Sequence, residues 1–153
     1  MRLGGQIFEK YDSPEQWGQA VQRAGYRAVI CPVEPDAGDD EVRAYADVAA
    51  EADILIAEVG TWSNPLSGDD AKRNAALQKC RDGLALADRI GSRCCVNIAG
   101  SRGEKWDGPH RADLTEESFE MIVETVRRII DEVQPIRTHF TLEPMPWMFP
   151  DSA

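Results

Sequence analysis

Histidine is scarce in this chain: His110 and His139 are the only two among 153 residues. A centre built from several imidazoles therefore has little material here. Neither a GxGxxG run nor a GxxxxGK(S/T) run follows any short apolar segment, which argues against the phosphate cradles of dinucleotide-binding and P-loop folds. No uninterrupted apolar run reaches membrane length, and the N-terminus lacks the basic-then-apolar order of a signal peptide. The expectation is a soluble, cytoplasmic protein with no membrane partner. Basic residues are also few. Seventeen Lys and Arg stand against 27 Asp and Glu, a formal charge of -10 that repels phosphate backbones. No basic patch offsets it, so nucleic acid is not an expected partner. Cys31, Cys80, Cys94 and Cys95 show no paired metal spacing, and adjacent cysteines on a strand point to opposite faces. They read as buried free thiols. Low-complexity stretches, Gly/Ser linkers and composition breaks are missing as well, so residues 1–153 are expected to form a single domain without an internal boundary.

What is present is an alternation. Short apolar runs at Ala28 to Cys31, Ile54 to Val59, Cys94 to Ala99 and Phe140 to Leu142 alternate with longer amphipathic segments. The first helix is punctuated by Ser13 as N-cap, Pro14 at the first helical position, Gln16 for a capping box and Gly25 at the C-terminal turn, with Trp17, Ala20, Val21 and Ala24 on one face. The second is predicted from Asp39 or Asp40 to about Ala52, with Val42, Tyr45, Ala46 and Ala49 inward. The third runs from about Asp70 to Ile90, with Leu77, Cys80, Leu84, Ala87 and Ile90 at helical spacing, a mild interruption at Gly83 and a stop at Gly91. The fourth opens at Thr115, with Leu114 and Phe119 as a hydrophobic staple. Its predicted buried stripe is Phe119, Ile122, Val123, Val126, Ile130 and Val133.

Strand and helix alternating at this spacing imply parallel pairing and an α/β fold, because each helix returns the chain to start the next strand in the same direction. Periodicity alone leaves a doubly wound sheet and a piece of a (β/α)₈ barrel both open. In either, ligands meet the C-terminal ends of the strands. That rule selects Glu58, Trp62, Asn97 and Glu143, together with Trp106 and His110 in the long connection "GSRGEKWDGPHRAD". If Phe140 and Leu142 face the helices, His139, Thr141 and Glu143 form an inner polar row ending in a carboxylate. The same alternation is expected to bring Glu58 and Asn97 to one mouth with Glu143. A carboxylate there suits a hard divalent cation or proton transfer beside a carbonyl. His139, deeper than the strand end, is expected to be a hydrogen-bonded interior histidine.

The runs "IAEVGTWSNPLS" (Ile56 to Ser67), "CCVNIAGSRGEKWDGPH" (Cys94 to His110) and "TLEPMPWMFPDS" (Thr141 to Ser152) resemble the sugar phosphate isomerase/epimerase family, the xylose-isomerase-like TIM barrels. The resemblance spans essentially the whole chain but only the first part of that fold, about five parallel strands and four helices. It implies a divalent metal (Mn²⁺ or Mg²⁺, in some members Zn²⁺ or Co²⁺) and interconversion or epimerisation of sugars or sugar phosphates. Glu143 looks like the family's first metal-ligating glutamate, which also serves as an acid/base group. Trp62, Asn97, Trp106, His110 and Glu58 are expected to position the substrate. The family's remaining ligands come from strands six to eight and have no counterpart here. The expectation is an N-terminal portion of a barrel, inactive by itself, whose bare edges are covered by a second copy in a homo-oligomer or by further barrel.

Two other functions fit the same layout. Apurinic endonucleases of the superfamily hydrolyse phosphoesters, but they use several histidines and act on DNA, which this histidine-poor, acidic chain opposes. A non-catalytic half-barrel that dimerises is the other.

Overall fold

The structure is a computed structural model that describes residues 1–151. Ser152 and Ala153, at the end of the C-terminal run, lie outside the described residues. Strands and helices alternate as β1 (Gly4–Gly5), α1 (Pro14–Arg23), β2 (Ala28–Ile30), α2 (Asp39–Glu51), β3 (Leu55–Gly60), α3 (Asp70–Ile90), β4 (Cys94–Asn97), α4 (Glu116–Val133) and β5 (His139–Leu142). Every strand pair is parallel, and the order in the sheet follows the chain, β1 to β5. A doubly wound sheet reverses its order partway and carries helices on both faces. Here the order never reverses, and α1 packs on α2, α2 on α3 and α3 on α4. The helices thus form one layer on one face, which is the arrangement of part of a (β/α)₈ barrel.

Local chemistry sets the helix ends. The Ser13 hydroxyl accepts the Gln16 N–H at 3.3 Å, and Pro14 opens α1 where its missing N–H costs nothing. Gln16 Oε1 reaches back to the Asp12 N–H at 2.9 Å rather than to that of Ser13. The Asp69 carboxylate caps α3 by accepting from Lys72 and Ala71 N–H at 3.1 and 2.9 Å, and these bonds hold it below the usual carboxylate range. Gly91 closes α3 at φ +76°, a left-handed turn that suits glycine.

The core lies between the sheet and this single helix layer. Trp17 and Tyr45 meet edge to face at 5.4 Å between α1 and α2. Leu77, Cys80, Leu84, Ala87 and Ile90 of α3 are buried, as their spacing predicts. Gly83 is more than an interruption. A Cβ there would overlap Thr61 Cγ2, so glycine is what lets α3 lie close against the end of β3.

The fourth helix departs from its predicted stripe. Its buried residues are Ser118, Ile122 and Ile129, whereas Phe119 is 46% exposed and Leu114 49%. Phe119 packs edge to face on Phe149 at 5.7 Å instead of stapling Leu114. The cause is position. β5 is the last strand of the sheet, and the Phe119–Val123 side of α4 borders an apolar groove of about 470 Å³ with Leu142, Phe149 and Pro150.

Candidate active site

Strand parity decides which side chains reach the barrel mouth. Phe140 packs on the main core and Leu142 on a second cluster with Ile122 and Met148, so both face the helices. Alternation turns Thr141 and Glu143 to the opposite, inner face. The Glu143 N–H donates to the Asn97 carbonyl at 2.8 Å, which prolongs the ladder one residue past β5. Its exposed carboxylate therefore stands at the C-terminal rim, the ligand end of such barrels. His139 is the first residue of β5 and is exposed at the opposite end of that strand, not the interior histidine expected.

Glu58 does not meet Glu143. The pairing of β2 with β3 skips Ala57, matching Val29 to Ile56 and Ile30 to Glu58, and this irregularity places Ile30, Glu58, Cys94 and His139 in one row. Glu58 is half-buried there beside Arg2 and Ala28. Four residues of strand rise and two strand spacings separate it from Glu143, on the order of 15 Å.

Asn97 is likewise corrected. It shares parity with Cys95, whose thiol lies 3.7 Å from Thr61 Oγ1 beneath α3, so its amide points into the helix layer. There it is fully buried, accepting the Ser63 N–H at 3.0 Å and donating to Cys80 Sγ at 3.2 Å. Asn97 is a strut beneath the β3–α3 loop. Burial pushes the Cys95 thiol up to about 12, and Cys31 up to about 11.

The loop held by Asn97 presents Trp62. A Cβ at Gly60 would come within 2.8 Å of Trp62 Nε1, so the indole folds over the bare backbone of Gly60 at the top of β3. Trp62 is 40% exposed and Trp106, from the β4–α4 connection, 41%. Together with Lys72 and Lys79 of α3 they border a depression of about 570 Å³ at the strands' C-terminal end.

The β4–α4 connection is anchored from within. The buried Asp113 carboxylate accepts from Ser101 Oγ at 2.7 Å, Arg102 N–H at 2.8 Å and His110 N–H at 3.0 Å. His110 Nδ1 accepts the Ala112 N–H at 3.3 Å, which commits one ring nitrogen to the loop's own turn. Asn64 ties this connection to the β3–α3 loop: its Oδ1 accepts the Ser101 N–H at 2.9 Å and its Nδ2 donates to the Ser101 carbonyl at 2.8 Å. Nothing in the sequence marks Asp113 beyond an acid in a glycine-rich stretch, because its role arises where the connection folds back to bring Ser101 and Arg102 to the turn at His110. Trp147 packs on the second apolar cluster.

Glu143 thus stands at the rim without Glu58 and Asn97, and Trp62 and Trp106 line a depression of which Glu143 is not part. Among the described residues no group of three or more His, Cys, Asp or Glu side chains is placed to hold a metal ion. One exposed carboxylate does not make a cation cage, so the residues present do not fit a bound divalent metal.

The chain belongs to the xylose isomerase-like TIM barrel family, whose model matches residues 19–152. Among solved structures, D-psicose 3-epimerase with D-tagatose from Clostridium cellulolyticum is 18% identical with a TM-score of 0.67, over 94% of this chain and 52% of that one. A 3-keto-D-glucoside 4-epimerase from E. coli is 13% identical with a TM-score of 0.63, over 97% of this chain and 57% of that one. A xylose isomerase-like TIM barrel protein from Mycobacterium smegmatis in complex with magnesium is 13% identical with a TM-score of 0.60, over 97% and 56%. At these identities the likeness establishes the fold, and the chain spans about half the length of the solved structures it matches. No curated protein matches it. Among the described residues no helix is long and apolar enough to cross a membrane.

Proposed function

We propose that this chain contributes the first half of a sugar, or sugar phosphate, isomerase/epimerase site, in which the Glu143 carboxylate moves a proton at the carbon next to the substrate carbonyl. The observation that carries this reading is the inner row ending in Glu143 at the C-terminal rim of a xylose isomerase-like barrel, the end where such barrels bind ligands. Trp62 and Trp106, which line a depression at the strands' C-terminal end, offer rigid apolar faces to a sugar ring. A divalent metal, such as the magnesium bound by the Mycobacterium smegmatis protein, needs several oxygen or imidazole ligands in fixed geometry, and among the described residues no such group is assembled. The 153-residue chain alone is therefore inactive, and the mouth is completed by further barrel or by a second copy.

Proton exchange tests this directly. Ketoses are incubated in D₂O with Mn²⁺, and deuterium uptake beside the carbonyl is followed by NMR. The isolated chain is expected to show no metal-dependent uptake. A completed barrel is expected to show it, and Glu143→Gln to slow it by about a hundredfold or more. Uptake unaffected by Glu143→Gln removes Glu143 from the reaction; metal-dependent uptake by the isolated chain overturns its inactivity.

A second reading, a half-barrel that dimerises without catalysis, is favoured by the uncovered groove between α4 and Phe149 and by the unpaired outer edge of β5. Native mass measurement of a metal-free dimer, with no exchange activity in any assembly, supports it over the enzyme.

A further inference from the structure

The two edges of the sheet are unlike. β1 is two glycines long and presents no side chains. β5 runs from His139 to Leu142, and its ladder to β4 continues through Glu143. Natural edge strands are blunted by lysine, proline or a bulge. Between Thr138 and Glu143 there is none of these, and the first proline is Pro144. The backbone groups of β5 alternate in direction. The Glu143 N–H bonds the Asn97 carbonyl, so Thr141 and His139 also turn their backbone groups toward β4, while Phe140 and Leu142 turn theirs to the outer edge. No strand lies beyond them among the described residues. The side chains alternate as well. His139, Thr141 and Glu143 share the inner face, with His139 and Glu143 exposed, and Phe140 and Leu142 face the helices. Neither His139 nor Glu143 is in an ion pair among the described residues.

We infer that this edge pairs with the same edge of a second copy, as antiparallel strands related by a twofold axis at Thr141. The inference rests on the self-associating reading above and adds the strand, its direction and its register. The register is self-complementary. His139 falls opposite the partner's Glu143 and Glu143 opposite the partner's His139, so an imidazole meets a carboxylate at each end of the inner row. Thr141 meets its own copy on the axis. Phe140 falls opposite the partner's Leu142, where it extends the apolar groove that Leu142 floors between α4 and Phe149. The backbone agrees with the side chains. Because Phe140 and Leu142 point their N–H and C=O groups outward, they form the hydrogen-bonded pairs and exchange both bonds. The His139–Glu143 pairs are then the closer kind, about 4.5 Å between Cα atoms, where opposite charges across two strands attract. Neighbouring registers lose this fit. An axis at Leu142 sets Pro144, which has no N–H, opposite Phe140. An axis at Phe140 sets His139 opposite Thr141 and Glu143 opposite Arg137, whose guanidinium is already bonded to the Asp88 and Arg89 carbonyls.

A charge swap read by sedimentation equilibrium of the full chain tests this. His139→Glu and Glu143→Lys each set like charges opposite one another, and the double variant restores opposite charges in the same register. Both sites are exposed, and circular dichroism checks the fold. Expected is a dimer whose dissociation constant rises about tenfold in each single variant and returns to within about threefold of the original in the double. Thr141→Cys gives a second reading, because two thiols on the axis of a closely spaced pair lie within disulfide reach. Mild oxidation is expected to join two chains at that position, as mapped by mass spectrometry of digests. Weakening without recovery in the double variant overturns the register and with it the inference. A dimer indifferent to both single reversals, with no link at position 141, shows that the copies meet by another face; it overturns the inference but leaves the self-associating reading standing. A monomer at every concentration overturns both.

Discussion

The third and fourth helices are built to similar plans and end in different surroundings. Of the 21 residues of α3 eight are buried; of the 18 of α4 only three are. Yet α4 carries the cleaner apolar stripe in sequence. The difference is that α3 has a helix on each side and two strands beneath it, while α4 lies over the last strand with a neighbour on one side. How much of a helix is buried is therefore set by what stands beside it on the sheet, not by its own periodicity. The apolar residues α4 cannot bury line the groove with Phe149. The centre around α3 is tight enough to require glycine at position 83 and to dehydrate thiols. The flank around α4 leaves a phenylalanine half in water.

The sharpest way to probe this contrast is thiol reactivity. Burial, more than any charged neighbour, pushes the Cys95 thiol from 9.0 to about 12, so at pH 8 it presents about a thousandfold fewer thiolates than an unperturbed cysteine. Native Cys95 is expected to resist iodoacetamide while the unfolded chain reacts, as read by mass spectrometry of digests. The sign for stability follows. The folded state holds this proton more tightly, so the contribution is complete below pH 9 and is lost as pH rises from 9 through about 12. Urea unfolding at pH 8 and pH 11 should show that loss.

Leu84→Ala, at a fully buried site, is expected to cost about 3 kcal/mol in urea unfolding. A cost below about 1 kcal/mol would mean that the centre is not packed as described. Gly83→Ala comes next. Helix propensity favours alanine by about 1 kcal/mol, but overpacking against Thr61 costs about 1–3 kcal/mol, so net destabilisation is expected. A more stable variant would show that α3 is free to move away from β3. Phe119→Ala should have the smallest effect, under about 1 kcal/mol, because the ring is half exposed and loses chiefly its edge contact with Phe149. A loss as large as that of Leu84→Ala would break the comparison. It would show that the flank is covered in solution, and a dependence of that loss on protein concentration would identify the cover as a second copy.

Much of the fold is legible in the residues. Ser13 and Pro14, Gly91 and Thr115 act within a turn of themselves, and so do what local chemistry says. The inner direction of Glu143 was readable for the same reason, since Phe140 and Leu142 flank Thr141 and leave the row one clear parity. Asn97 was not readable. Cys94, Cys95, Val96, Asn97 and Ile98 carry no polar–apolar alternation, so either face of β4 satisfied the pattern. Glu58 was displaced by an irregularity at Ala57 that no local signal announces. Trp62, Trp106, Lys72 and Lys79 lie on three segments, and only packing brings them around one depression.

The sequence by itself determined the element types, their ends and the α/β class, because caps, turns and periodicity are settled by interactions within a few residues. Tertiary structure decided between one helix layer and two, which face of β4 turns to the helices, how far Glu58 lies from Glu143, and where the lysines and tryptophans meet. Each of these depends on sheet order and strand register, and those follow from which distant surfaces bury each other rather than from any short stretch of chain.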